Sequence, residues 1–273
     1  MNDLLPAYFG MPFGMTAALM AILMVSAVMS GLSGFGFSAI GAISLWFLPP
    51  TLAVPLLMAL STANQLLSVH QLKADMKPIR EWWPDGPGPY VAGGLLGAPA
   101  GVWLLTSLPT ATLKVSFGVI LIAYAAYSLV KPASLFIEQH FDWPMLMLIG
   151  MIGGVIGGFT AFPGAAIVIW TGLTNGHKSD IRSIVQPYIL ALQMVSLGLL
   201  ALTRPETFDL QFWGLLATSL VFVLPCTLLG IRLYRSMSEA NFKRMAYLLL
   251  GVSGMGLFAK GLTTTVRTAA ALW

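Results

Sequence analysis

The stretch GLSGFGFSAI, residues 31–40, interrupts one of the most apolar parts of the chain. It follows an uncharged run from Gly14 to Ser30 and precedes a second apolar run that ends at Pro49-Pro50. Glycine and serine are weak helix formers, and they make up half of this stretch. The pattern therefore predicts a helix that breaks within a membrane-embedded region.

The composition is that of a polytopic membrane protein. Of 273 residues, 57% are hydrophobic and 9% are charged, and the mean hydropathy is +0.83. Soluble domains carry roughly 25% charged residues. At about 20 apolar residues per crossing, the length allows about eight to ten crossings. The lone Cys226 excludes an internal disulfide and a cysteine-rich metal site, so we expect neither metal nor cofactor.

Apolar segments form two series of five. The first is 14–30, 38–48, 52–70, 88–107 and 111–130, and the second is 143–158, 163–174, 183–202, 209–231 and 241–260. The second member of each series is too short to be an ordinary spanning helix, because it covers roughly half of a ~30 Å hydrocarbon core. These two segments are therefore predicted to be half-helices or re-entrant arms.

The two series resemble each other in sequence. The matches occur in the same order at offsets of 127 to 129 residues: 101–114 with 230–243, Gln65 with Gln193, and 31–40 with GFTAFPGAAI at 158–167. The pattern predicts a duplication, with repeats at 1–131 and 132–273 in one integral membrane unit. Two unrelated but similar helix hairpins are the alternative.

Charge predicts the topology. Five crossings per repeat require the second copy to be inverted relative to the first. If the 71–87 loop lies inside, so do most of the 14 basic residues, among them Lys73, Lys131 and Arg182. We therefore expect a plasma (inner) membrane protein with both termini outside, and we attribute the net charge of +4 to orienting loops and not to nucleic-acid binding.

The predicted breaks suggest chemistry. Irregular backbone at membrane depth is tolerated where it is buried in protein or lines a cavity. A half-helix N-terminus carries roughly half a positive charge and attracts anions. The predicted substrate-binding residues of the breaks are Ser33, Gly34, Gly36 and Ser38 in the first and Thr160, Pro163 and Gly164 in the second. The alternative is that these small residues serve only close helix packing.

Polar side chains in the third segment of each series extend this prediction. Asn64, Gln65 and Gln193 could donate hydrogen bonds to an anion without introducing charge, or could simply bond neighbouring helices. His70 is a candidate for proton handling, with a headgroup-level position as the alternative. No carboxylate is placed at mid-membrane, where proton and cation pumps usually keep one.

The pattern Gly-x-x-Gly-x-Gly-x-Ser at residues 31–38, followed by a short apolar arm, Pro-Pro and a long polar-studded helix, resembles the TauE/SafE family of sulfite and organosulfonate exporters. The resemblance extends from about residue 12 to residue 260. It implies transport of small anions, commonly sulfur oxyanions or sulfonates. Phe35, Phe37 and Phe162-Pro163 depart from the family's glycine-richer motif, which bears on the substrate more than on the fold.

The sequence thus predicts an all-α polytopic membrane protein with two inverted repeats of about five segments each and short broken or re-entrant half-helices. The predicted function is secondary transport of small anions, as an exporter, by alternating access around a central site at the repeat interface. A permease for another small solute and a non-transporting scaffold are the alternatives. An enzyme is disfavoured because no base, nucleophile or metal cluster is placed near the bilayer. The expected partners are the anion, membrane lipids and a second copy in a homodimer.

Overall fold

The computed structural model describes residues 11–72, 76–130, 141–174 and 178–234, together with Met255 and Phe258. The predicted segment 241–260 lies outside the described residues apart from those two positions, as do Lys73 and Lys131. Within the described ranges all regular structure is helical. The α-helices are α1 (Phe13–Ser33), α2 (Phe37–Gly41), α3 (Pro50–Gln71), α4 (Pro87–Ser107), α5 (Thr110–Val130), α6 (Trp143–Thr160), α7 (Gly164–Thr174), α8 (Lys178–Thr203) and α9 (Leu210–Tyr234).

The predicted all-α membrane class is confirmed. Six of the described helices are long and apolar enough to cross a bilayer: α1, α3, α4, α6, α8 and α9. The predicted short segments are short in the structure too. α2 has five residues and continues as a 3-10 helix over Ala42–Trp46, and α7 has 11 residues.

One boundary differs from the prediction in a consequential way. The sequence predicts that the eighth segment begins at residue 183. The helix begins instead at Lys178, and Arg182 is buried in the bundle with 4% of its surface exposed. Arg182 therefore lies within a buried part of a helix and not in a loop, and its predicted position on the inner side stays a prediction.

Glycines bring α4 and α6 into close contact along their lengths. A Cβ added to Gly101 would lie 2.8 Å from the Cα of Gly158, and one added to Gly158 would lie 2.7 Å from the Cα of Gly101. Further along, Gly97 meets the backbone of Met151 in the same way. Small residues drive association of membrane helices because they let backbones approach. The two helices are parallel, because the residue numbers of the contacting positions increase in the same direction along both helices.

Close contacts at glycines also join α1 to α9. A Cβ on Gly31 would lie 2.9 Å from the nitrogen of Ile231, and one on Gly230 would lie 3.0 Å from the Cα of Gly31. At the other end of the pair, the Ser219 hydroxyl lies 3.6 Å from the Met20 sulfur. These helices are also parallel. The first long helix of each series thus packs on the fourth segment of the other.

A surface cleft fixes the helix directions. Its lining includes Thr51 and Gln211 near the starts of α3 and α9, and Thr106 and Arg204 near the ends of α4 and α8. We call this side of the bundle the cleft end. Because α1 is parallel to α9 and α6 to α4, helices α1, α3 and α9 start at the cleft end, whereas α4, α6 and α8 finish there.

Three long helices of the first series therefore run opposite to their counterparts in the second. α1 opposes α6, α3 opposes α8 and α4 opposes α9. Inverted repeats require these directions. The duplication itself stays a prediction that the directions and the exchanged pairing support.

The glycine contacts predict a position-specific effect of adding one methyl group. Gly97→Ala should lower the melting temperature in detergent, because the added carbon collides with the Met151 backbone, and overpacking costs about 1–3 kcal/mol. Gly198→Ala in α8 is the matched control, since nothing lies within 4 Å of the added carbon. Alanine is also the better helix former, so this variant should match or exceed the wild type. Equal melting temperatures for the two variants would contradict the packing account.

Candidate functional site

The first break separates α1 from α2. Gly34 takes the left-handed conformation, with φ of 83°, and its N–H donates to the Ser30 carbonyl at 2.7 Å. The Ser33 hydroxyl donates to the Met29 carbonyl at 2.8 Å and accepts the N–H of Gly36 at 3.0 Å. The side chain of Ser33 thus forms hydrogen bonds with both a helix carbonyl and a loop amide. The predicted loosening of residues 31–40 is confirmed as a helix end with a left-handed cap.

The second break, between α6 and α7, has the same construction. Ala161 takes the left-handed conformation, with φ of 58°, and its N–H donates to the Gly157 carbonyl at 2.8 Å. The Thr160 hydroxyl donates to the Ile156 carbonyl at 2.6 Å and accepts the N–H of Phe162 at 3.1 Å. Pro163 directly precedes α7, as predicted for a residue that begins a half-helix.

Two buried glutamines complete the breaks. The Gln65 amide nitrogen on α3 donates to the Gly34 carbonyl at 2.7 Å, and the Gln193 amide nitrogen on α8 donates to the Ala161 carbonyl at 3.2 Å. Each glutamine is 1% exposed. They therefore have a structural role, because they satisfy the carbonyl of the left-handed residue where the helix ends.

Direct contact of these glutamines with a solute remains a prediction. Each amide nitrogen carries a second N–H, and neither Oε1 has a hydrogen-bond partner within the described part of the chain. The structural bond and a ligand contact are therefore compatible at both positions.

The two breaks meet inside the bundle. A Cβ added to Gly164 would lie 3.6 Å from the Cβ of Phe35 and 2.9 Å from Ile189 of α8. Pro163 lies against α6, since its Cα is 2.7 Å from the side-chain position of Gly157. The structure thus brings the predicted residues of both breaks to one central region, which also contacts α3 and α8.

The other predicted site residues differ in burial and in their distance from the breaks. Asn64 is fully buried; its Oδ1 lies within hydrogen-bond distance of the Thr227 hydroxyl of α9, and its Nδ2 has no partner among the described residues. The buried Ser38 hydroxyl also has none there. His70 is exposed near the end of α3, more than one turn beyond Gln65, so the structure does not bring it to the breaks. Its proton-handling role stays a prediction.

Sequence reasoning missed a charged member of this region. The Arg182 Nη2 donates to the carbonyls of Gly31 at 2.7 Å and Leu32 at 3.3 Å, in the last turn of α1. Its guanidinium also lies 4.2 Å from the centre of the Tyr234 ring. The group thus lies where the partial negative charge of a helix C-terminus favours a cation. The sequence signal that could have located Arg182 is its spacing of four residues from Gln186, because residues four apart lie on the same face of a helix.

Comparison with known proteins identifies the family. The family model for the sulfite exporter TauE/SafE matches residues 18–257. The chain belongs to the TauE/SafE family. Neither the curated proteins nor the solved structures give a match. TauE/SafE members are membrane transporters and not an enzyme family, and with its apolar helices this chain is a multi-pass integral membrane protein.

The bonds from the glutamines predict a matched pair of stability effects. Gln65→Met and Gln193→Met should each destabilise the protein by about 1–3 kcal/mol, because a buried backbone carbonyl loses its partner. Gln71→Met is the control, since Gln71 is exposed at the end of α3. Thermal unfolding of the purified protein measures the effect. A loss at only one of the two glutamines would show that the breaks are not held in the same way.

Proposed function

We propose that this TauE/SafE member is a secondary transporter that exports small anions, such as sulfite, sulfonates or related organic anions, across the plasma membrane. The observation that carries the proposal is the meeting of two similarly built helix breaks in the bundle interior. Family membership supports the transport class. The break geometry supports a binding site, since irregular backbone at membrane depth belongs where it is buried or lines a cavity.

The central region offers donors suited to an anion. Asn64 has a buried N–H₂ group without a partner among the described residues, and the second N–H of Gln65 and of Gln193 lies beside each break. These donors are neutral, so they add no further charge to a region that already contains the buried Arg182. A site of this kind holds the solute loosely enough to release it.

The pairing of the helices suggests how access alternates. The first break is attached to the α1–α9 pair, and the second to the α4–α6 pair, each joined by close glycine contacts. Movement of one pair against the other would displace one break relative to the other and open the site to opposite sides in turn. Such rocking of one unit against another is a common transporter mechanism.

Charge and aromatic residues support the proposed orientation. Lys77 and Arg80 lie between α3 and α4, at the end of the bundle opposite the cleft, which we assign to the cytoplasm. Trp83 and Trp143 lie at that same end with ring centres 5.6 Å apart, as expected of an interfacial aromatic belt. The start of α1 would then be outside, and the C-terminus would also be outside if the predicted segment 241–260 crosses the membrane. A negative cell interior favours exit of an anion by about 2.3 kcal/mol per charge for each 100 mV.

Anion-dependent stability and flux test the proposal. Sulfite, thiosulfate, sulfate, sulfoacetate, acetate and chloride would be compared with the purified protein and with proteoliposomes. A bound anion at 100 times its dissociation constant should stabilise the protein by about 2.7 kcal/mol. A scaffold would remain folded and show no flux with any of them.

Asn64→Asp sharpens this test, because it keeps the side-chain shape and adds a negative charge to the proposed site. We expect the anion-dependent stabilisation and the flux to disappear in this variant. Gln71→Glu is the control, since it adds the same charge at an exposed position of the same helix and should leave both intact. Stabilisation by a cation or a lipid, and by none of the anions, would contradict the proposed function.

A further inference from the structure

Arg182 is the only charged side chain among the buried residues of the described chain. It lies on α8 with its Nε 2.8 Å from the position that a Cβ on Gly34 would occupy. The neighbouring Gln186 amide nitrogen is 3.1 Å from that same position. The left-handed glycine of the first break therefore faces one cation and one amide, and any side chain at Gly34 would displace both.

Gln186 adds an observation independent of the arginine. It is 0% exposed, and neither its nitrogen nor its oxygen has a hydrogen-bond partner within the described residues. A buried amide without partners costs free energy. A polar ligand beside Gly34 would supply the missing partner.

The repeat alignment gives no equivalent pair for the second break. Gln65 and Gln193 are 128 residues apart, and the positions 128 residues before Arg182 and Gln186 are Val54 and Met58. Both are apolar, and each is at most 1% exposed. The backbone of the two breaks is thus built alike, whereas the side chains supplied by the long helices differ in charge and polarity.

We infer that the anion binds off the centre of the bundle, at the first break, with Arg182 and Gln186 as its specificity-determining residues beside Gly34. This inference rests on the proposed function and narrows its substrate class. The substrate is a sulfur oxyanion or sulfonate with net negative charge, and zwitterionic sulfonates bind less well. The second break is a structural counterpart that does not contact the charged group.

Arg182 already has a structural role, since it binds the last carbonyls of α1. If the role of Arg182 were purely structural, its substitution would lower the stability of the fold and would lower the affinities for all ligands by the same factor. Substitution of a residue that recognises ligand charge would change the ratio of the affinities for two ligands that share a head group and differ in net charge. Isethionate and taurine form such a pair: both carry a sulfonate, and taurine carries an ammonium group where isethionate has a hydroxyl.

Titration calorimetry of the purified full chain with these two sulfonates decides between the roles. The wild type should bind isethionate more tightly than taurine. Arg182→Gln should weaken isethionate binding by at least about tenfold, the scale of one lost charge-assisted hydrogen bond, and should weaken taurine binding less. Arg182→Lys keeps the charge and should preserve the preference for isethionate, although the lost planar geometry lowers the affinity.

Gln186→Met gives a second test that does not disturb the capping arginine. It introduces the residue type that the repeat alignment gives at the equivalent position of α3, Met58, and it should reduce isethionate affinity by about tenfold. Met58→Leu is the matched control in α3 and should leave that affinity unchanged. If Arg182→Gln does not fold, the comparison of Gln186→Met with Met58→Leu still tests the anion site at the first break.

The outcomes separate the two proposals. If the wild type binds neither sulfonate nor sulfite, the proposed function fails and this inference fails with it. If the wild type binds isethionate, and the variants at Arg182 and Gln186 keep its affinity and its preference over taurine, the anion site at the first break is overturned while the proposed function stands.

Discussion

The hydrogen bond between a buried glutamine amide and the carbonyl of a left-handed residue makes each helix break possible. Backbone polar groups inside a membrane must find partners within the protein, because the lipid tails offer none. Gly34 and Ala161 end their helices in the interior, and their carbonyls are satisfied by Gln65 and Gln193 at 2.7 and 3.2 Å. Ser33 and Thr160 satisfy the adjacent amides. Without these bonds, each break would leave a buried carbonyl unpaired, at a cost of about 1–3 kcal/mol.

The breaks also depend on how the long helices pair. Close glycine contacts fix α1 to α9 and α4 to α6, so each broken helix is attached to a continuous helix of the other series. Because the backbones of each pair are in close contact, we expect each pair to move as one unit. The proposed transport cycle follows from this arrangement, since the two breaks belong to different units and meet at Phe35 and Gly164.

Much of the fold could be predicted from the sequence because its signals are local. Apolar runs and the Gly, Pro and Ser interruptions located the long helices and both breaks to within a few residues. The role of the glutamines was less accessible. Their matching positions marked Gln65 and Gln193 as special, but a polar residue in a membrane helix has the same sequence signature whether it binds backbone or a ligand.

Arg182 could not be placed from the sequence for a related reason. A charge at the edge of an apolar run usually belongs to a loop, and hydropathy ends the helix there. The contact that buries it is made to the carbonyls of Gly31 and Leu32, about 150 residues away. Only the folded chain brings the end of α1 to the start of α8 and so creates the asymmetry between the breaks.

A structure with a labelled ligand would show whether an anion occupies the bundle at the first break, as proposed. Crystals grown with 2-bromoethanesulfonate would locate the bromine by its anomalous scattering. We expect one peak inside the bundle, with the sulfonate directed at Gln186 and Arg182 beside Gly34. A peak confined to the surface cleft lined by Arg204, with none inside the bundle, would contradict it.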